Sequence, residues 1–134
     1  MPSDTLPPLV KALTVHNPWA LAFFTCGKDC ENRDWYTSNR GLIAIHAAST
    51  MTQEEYGEAA RFMLSIDVAP PSYDECMGTL GKVLGTVRMI GCSKNVPSKW
   101  FVGEWGFLMR TPERFEVAIP AKGKLGFWRW KRPN

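Results

Sequence analysis

The stretch Leu42-Ile-Ala-Ile-His-Ala-Ala48 decides the fold of this 134-residue chain. Neighbouring side chains of a strand point to opposite faces, and this stretch is apolar at both sets of positions except for His46. A strand with that pattern is covered on both faces, as in the middle of a sheet or barrel. We therefore predict that the other elements pack around it.

A helix is predicted on the N-terminal side of this strand. Asn17 is a good N-cap residue, and Pro18 is preorganised for the first helical position. Gly27 is a natural C-terminal stop. The helix is therefore predicted from Pro18 to about Cys26.

A second helix is predicted on the C-terminal side. Thr52 and Glu55 have the spacing of a capping box, and Met51 and Tyr56 are placed to form a hydrophobic staple. Apolar side chains recur at helical spacing after this start. The predicted apolar stripe consists of Tyr56, Ala59, Ala60, Met63 and Leu64.

The rest of the chain favours strands. Gly81 and Gly85 indicate a bend or bulge of the kind that barrels require. The order of elements predicts an α+β fold, a small curved β-barrel of about five to seven mostly antiparallel strands with two or more packed helices. The segments Asp67–Thr79 and Ser93–Gly103 are predicted as loops. The further strands are predicted at Lys11–Val15, Glu31–Trp35, Leu80–Ile90, Trp105–Met109, Phe115–Ile119 and Leu125–Trp130.

The composition is that of an ordinary globular protein. Hydrophobic residues make up 45% of the chain, and the formal charge of +3 permits an anionic partner without demanding one. We expect residues 1–10, which contain three prolines, to form a flexible leader, and residues 11–134 to form a single domain. No apolar run reaches the roughly 20 residues that span a bilayer, and a signal-peptide pattern is missing. We therefore predict a cytoplasmic protein without a membrane partner.

The cysteines do not form a recognisable metal motif. Cys26 and Cys30 could bind zinc together with His16 or His46, but no second pair of ligands with zinc spacing follows. Buried free thiols are the better interpretation, because a reducing compartment argues against disulfides. We expect no metal, no cofactor and a monomer.

The segment Cys26-Gly-Lys-Asp-Cys-Glu-Asn-Arg33 concentrates charge just after the first helix. If a strand starts near Cys30, Glu31, Arg33 and Trp35 share one of its faces, next to Lys28. Such a cluster is either a structural ion pair, which contributes little when exposed, or the polar floor of a binding site. Because the cluster lies at the end of a helix, the binding-site interpretation is favoured over the ion pair.

Other candidate residues have two interpretations each. Trp19 and Trp35 are either core residues or stacking surfaces for a base. His46 is typical of a satisfied core histidine, whereas His16 is better placed to face a cleft. Ser49 lies three residues after His46 without the elbow motif of a Ser–His nucleophile. The basic C-terminal residues 122–132, interleaved with aromatics, are either solubilising charge or a wall for a phosphate backbone.

Several of these segments together resemble the ASCH family of the PUA-like superfamily, in particular its small bacterial and phage members. The family signature is G-x-K-x-x-E-x-R after the first helix, and here its first glycine falls on Cys26 with Gly27 beside it. The resemblance covers about Lys11 to Trp130. The segments that carry it are Ala12–Ala20, Gly27–Trp35, Arg40–Ser49, Gly81–Arg88, Trp105–Leu108 and Ile119–Trp130.

The resemblance implies a PUA-like barrel with a cleft beside the signature loop that recognises single-stranded RNA or a modified nucleoside. It also offers an alternative, because some members resemble amidohydrolases of N4-acetylcytidine and others are linked to ribonuclease activity. An enzyme of either kind would be metal-independent and would use Lys28 as a base and Glu31 as an orienting acid. The amidohydrolases have a threonine at the position of Glu31. The predicted binding residues are His16, Asn17, Trp19, Lys28, Glu31, Arg33, Trp35, Arg40, His46 and Ser49.

Overall fold

Six strands and three helices make up the computed structural model, which describes residues 9–133. The predicted leader lies outside the described residues except for its last two positions, which belong to the first strand. The strands are β1 (Leu9–Val15), β2 (Cys30–Arg33), β3 (Gly41–Ala47), β4 (Lys82–Ser93), β5 (Trp105–Pro120) and β6 (Phe127–Lys131). The helices are α1 (Trp19–Thr25), α2 (Gln53–Ser65) and α3 (Tyr73–Gly78).

The strands form a single curled sheet in the order β2-β5-β4-β3-β1-β6. Only β1 and β3 run parallel among these pairs, and β-bulges interrupt the β3–β4 and β4–β5 ladders. Bulges increase local twist and bend the strands. The result is a half-barrel with three helices, which confirms the predicted α+β fold and its mostly antiparallel, curved sheet.

The strand β3 is central, as its sequence predicts. Ile43, Ala44, Ile45 and Ala47 are completely buried between β4 and β1. One face of the sheet packs on α1 through Ile43 and Ile45, while the other face buries Ala44 against the aromatic residues of β6. Both faces of β3 are therefore covered.

Helix α2 begins as predicted, with a complete capping box between Thr52 and Glu55. Met51 is buried and Tyr56 packs on the same core. The predicted stripe is wrong at Leu64, whose side chain is 61% exposed. Ala59 and Met63 of the predicted stripe are the buried residues of α2, and Met63 packs with Ala22 of α1 and with Trp100. None of the helices in residues 9–133 is long and apolar enough to cross a membrane.

Most predicted elements differ from the structure by one to three residues at their ends, and three segments differ in kind or extent. The strands predicted at Trp105–Met109 and Phe115–Ile119 are parts of the continuous β5, which bends at Thr111 with a φ of 48°. The predicted loop Asp67–Thr79 contains α3, whose Ser72–Glu75 capping box has the same pattern as that of α2. The strand predicted at Glu31–Trp35 ends at Arg33, because the chain turns Trp35 into the core.

The pairing of β4 with β5 depends on a close backbone approach at Gly85. A Cβ atom at this position would lie 2.2 Å from the carbonyl oxygen of Glu113 and 2.8 Å from the Cα of Arg114. Both neighbours are backbone atoms in a paired strand, so they have little freedom to move.

We expect Gly85→Ala to lower the free energy of unfolding by about 3 kcal/mol, because the added methyl group overpacks this contact. The control is Gly78→Ala at the end of α3, where an added Cβ meets no atom within 4 Å. That change should raise stability by up to about 1 kcal/mol. Urea unfolding followed by tryptophan fluorescence measures both, and equal effects of the two substitutions would contradict this account.

Candidate functional site

A seam lies between β2 and β1, which are not neighbours in the sheet but come close because it curls. The guanidinium of Arg33 on β2 crosses this seam, and its Nη2 donates to the carbonyl oxygen of Thr14 on β1 at 3.0 Å. Trp35 closes the seam further along, with its ring edge-on to Phe107 and Phe127 at centroid distances of 5.2 and 5.9 Å. The Arg33 side chain therefore joins β2 to β1 where no backbone ladder does.

The residue Lys28 reaches the seam because of the turn that ends α1. Gly27 adopts a φ of 69°, a left-handed conformation that glycine adopts without strain. The backbone N–H of Lys28 then donates to Ala22 at 3.2 Å, and the side chain folds back over the ring of Phe23, with Nζ 3.9 Å from the ring centroid. Only 5% of Lys28 is exposed.

The carboxylate of Glu31 accepts from both cations. Lys28 Nζ lies 2.6 Å from Oε1, and Arg33 Nε lies 3.0 Å from Oε2. Burial on its own would raise the pKa of Glu31, but the charges and hydrogen bonds of Lys28 and Arg33 outweigh it and hold the pKa below its usual value. The three residues form a buried ion-pair network with one net positive charge, and the exposed-ion-pair alternative does not apply.

Three adjoining cavities lie along the seam. The inner cavity, of about 230 Å³, is lined by Trp19, Lys28, Glu31, Asn32, Phe62 and Val102. The seam cavity, of about 340 Å³, shares Trp19, Glu31 and Asn32 with it and adds His16, Arg33 and Lys124. We call these two together the cleft. The His46 cavity, of about 380 Å³, shares Thr14, Lys124 and Leu125 with the seam cavity.

The wall of the cleft is built by Trp19 and by the segment after Trp100. The half-buried indole of Trp19 stands edge-on to Phe62, with centroids 5.6 Å apart. Opposite it, the amide of Asn32 donates to the carbonyl of Trp100 at 2.8 Å and accepts from the backbone N–H of Val102 at 3.0 Å. Asn32 thereby holds the loop that places Val102 at the rim, where its side chain is 68% exposed.

The comparisons with known proteins agree with the resemblance seen in the sequence. The chain is 31% identical over 129 residues to Activating signal cointegrator 1 of Homo sapiens and 30% identical to the protein of the same name from Mus musculus. Each match covers 87% of this chain, and the chain spans 22% of the length of these curated relatives. No family model matches the chain. The similarity supports the ASCH family.

The three charged residues of the predicted signature and two of the predicted aromatic and histidine candidates come together in the cleft. Lys28, Glu31 and Arg33 form its floor, and Trp19 and His16 line it. Arg33 Nη1 has no hydrogen-bond partner within residues 9–133, so one edge of the guanidinium is free to bind a ligand.

The predicted binding residues Asn17, Trp35 and Arg40 lie away from the cleft. The buried amide of Asn17 ties α1 to α3, donating to the carbonyl of Cys76 at 2.9 Å and to Thr79 Oγ1 at 2.8 Å. It also accepts from the backbone N–H of Leu21 at 3.1 Å. Arg40 is exposed and bonds to the carbonyls of its own turn. Their geometry supports structural roles.

The residues His46 and Ser49 line the His46 cavity and not the cleft. The Nε2 of His46 lies 2.7 Å from the carbonyl oxygen of Ala121, which only accepts, so Nε2 carries a proton. Its Nδ1 lies 3.1 Å from Thr14 Oγ1, which accepts in turn from Trp128 Nε1 at 3.0 Å. Both ring nitrogens are therefore engaged within the fold, whereas the Ser49 hydroxyl is exposed.

Several residues that line the cleft are not predicted from the sequence. Asn32, Phe62, Val102 and Leu125 line the cleft and were not candidates. Asn32 carried a signal that could have been used, because asparagine is depleted in strands and often bonds to a nearby backbone. The other three are apolar residues whose position in the cleft follows only from tertiary packing. Among residues 9–133, no group of three His, Cys, Asp or Glu side chains is placed to hold a metal ion.

We expect Glu31→Gln to lower the free energy of unfolding by about 3–5 kcal/mol, because it leaves the Lys28 ammonium buried without a counter-charge. Lys28→Met should lower the free energy of unfolding by less than Glu31→Gln does, because Glu31 keeps its ion pair with Arg33. The double variant Lys28→Met/Glu31→Gln should be more stable than Glu31→Gln alone. Urea unfolding gives all three values, with Glu58→Gln on the exposed surface of α2 as the control. A double variant no more stable than Glu31→Gln would contradict the network.

The lowered pKa of Glu31 also predicts a dependence of stability on pH. The unfolded chain binds a proton at this carboxyl near the ordinary value of 4.5, whereas the folded chain binds it only at lower pH. The contribution is therefore present above about pH 4.5 and is lost as the pH falls through the folded-state pKa. Urea unfolding between neutral and acidic pH should show a steeper loss for the wild type than for Lys28→Met/Glu31→Gln. If the free energies of unfolding of the two proteins fall in parallel below about pH 4.5, this contribution of Glu31 is excluded.

Proposed function

We propose that this protein is an RNA-binding ASCH domain of the small bacterial or phage type, which holds a base of single-stranded RNA in the cleft beside Gly27-Lys28-x-x-Glu31-x-Arg33. One observation carries the proposal: Trp19 and the free edge of Arg33 line the same cavity, above a buried ion-pair network. An indole offers a stacking surface to any base, and a guanidinium binds phosphate or a base edge.

The charge around the cavities supports an anionic ligand. Among the described residues that line the three cavities, Glu31 is the one acidic residue, and its charge is taken up by Lys28 and Arg33. The exposed side chain of Lys124 stands where the seam cavity meets the His46 cavity. A phosphate backbone that passes the seam would therefore meet positive charge along its length.

Binding without turnover fits the state of Lys28 better than hydrolysis does. A lysine acts as a general base through a free lone pair, whereas Lys28 Nζ donates to Glu31 at 2.6 Å and lies over Phe23. The carboxylate of Glu31 is in turn held by two cations. The hydrolase alternative requires one of these groups to leave the network.

We expect labelled single-stranded RNA to bind at low salt, and Trp19→Leu to weaken the binding by about 1–3 kcal/mol, or about 5- to 150-fold, because a stacking surface is lost. Fluorescence anisotropy measures the affinity. The matched control is Trp105→Leu, another half-buried tryptophan in edge-on contact with one aromatic ring but outside the cavities. Undetectable RNA binding at low salt, or equal losses for the two variants, would overturn the proposal.

The hydrolase alternative is tested with the same preparation. Incubation with RNA and with N4-acetylcytidine should leave both intact even at high protein concentration. Product that forms with the wild type and disappears with Lys28→Met would replace the binding proposal with an enzyme.

A further inference from the structure

The His46 cavity is a separate concavity that the base in the cleft would leave empty. It holds about 380 Å³, the largest volume of the three cavities, and it lies beyond the segment of Lys124 and Leu125. This segment forms a wall of both the seam cavity and the His46 cavity. A ligand that fills both must therefore pass over Lys124 and Leu125.

The chemistry of this cavity matches a nucleotide. Two exposed lysines, Lys122 and Lys124, and the exposed hydroxyl of Ser49 line it together with the apolar Ala48 and Leu125, and no acidic residue is among its described lining residues. Lysines bind phosphate, and the hydroxyl can donate to phosphate or to a base edge. His46 contributes shape only, because both of its ring nitrogens bond within the protein.

Leu125 adds a second, independent observation. Its side chain is 99% exposed and lines both the seam cavity and the His46 cavity. Val102 is similarly exposed at the far end of the cleft. These two exposed apolar side chains provide surface that flat bases can cover, while Lys124 beside Leu125 provides the charge for the phosphate that joins the bases.

We propose that the His46 cavity is a second nucleotide subsite, so that the ligand is an RNA strand of dinucleotide length or longer rather than a free nucleoside. This inference rests on the proposed function, because it takes the base in the cleft as the first position of the strand. The phosphate between the two positions lies against Lys124, and the second nucleotide contacts Lys122 and Ser49.

The test compares ligand lengths on the full chain. Isothermal titration with the four ribonucleosides, the corresponding homodinucleotides and the homohexamers should show that affinity rises from nucleoside to dinucleotide. Lys122→Gln should weaken binding of dinucleotides and hexamers by about 3- to 10-fold and leave nucleoside binding unchanged, since a positively charged contact with the second nucleotide is lost. Lys131→Gln on β6 removes the same charge outside the cavities and should have no effect on either.

A second variant checks the subsite without relying on a lysine. Ser49→Glu places a negative charge in the His46 cavity and should weaken dinucleotide binding, whereas Ser38→Glu, at an exposed position outside the cavities, should not. If dinucleotides bind no better than nucleosides and neither Lys122→Gln nor Ser49→Glu matters, the second subsite is wrong while the proposed function stands. If no nucleoside or RNA binds at all, the proposed function fails and the subsite fails with it.

Discussion

The ion pairs of the buried Glu31 carboxylate are the interaction on which the rest of this structure depends. The carboxylate binds Lys28 from the end of α1 and Arg33 from its own strand, and Arg33 continues to the carbonyl of Thr14 on β1. In this half-barrel, β2 and β1 lie next to each other without a backbone hydrogen-bond ladder between them, so another interaction has to hold them together. In this protein a chain of charged hydrogen bonds does so, and each of its members would be costly to bury alone.

The same arrangement creates the cleft. Because the seam is joined by side chains, it leaves room between β1 and β2 that a backbone ladder would have filled. The network neutralises Glu31 and leaves one edge of Arg33 open, while α1 places Trp19 above it. In the function that we propose, stability and recognition share residues, so the effects of substitutions at Glu31 and Arg33 on folding and on binding are coupled. Trp19, Lys122 and Ser49 lie outside the network and can report on binding more directly.

Part of this site was predictable from local sequence. The two-residue period of a strand places Glu31 and Arg33 on one face, and Gly27 after an amphipathic helix predicts the turn that brings Lys28 to them. The strand ends at Arg33, but the indole of Trp35 still packs against Phe107, which pairs with Glu31 across β2 and β5, and against Phe127. The sequence predicts Asn17 as the cap of α1, but the N-cap is Pro18. The side-chain oxygen of Asn17 accepts from the backbone N–H of Leu21, and its amide donates to the carbonyl of Cys76 in α3 and to Thr79 just after α3. The helix α3 lies within a segment predicted as a loop, although its Ser72–Glu75 capping box has the same pattern as that of α2.

By itself, the sequence determined the central strand β3, the start of α2, the α+β class and the charged cluster after α1, since these depend on local periodicity and on capping residues close together in the chain. Only the tertiary structure decided that the cluster is a buried network across a seam, and that Phe62, Val102 and Leu125 line cavities with it. These residues lie tens of positions apart in the sequence, and their meeting depends on how bulges curl the sheet. The curl is a sum of small twists over many strand pairs, so no single stretch of sequence encodes where its two edges approach.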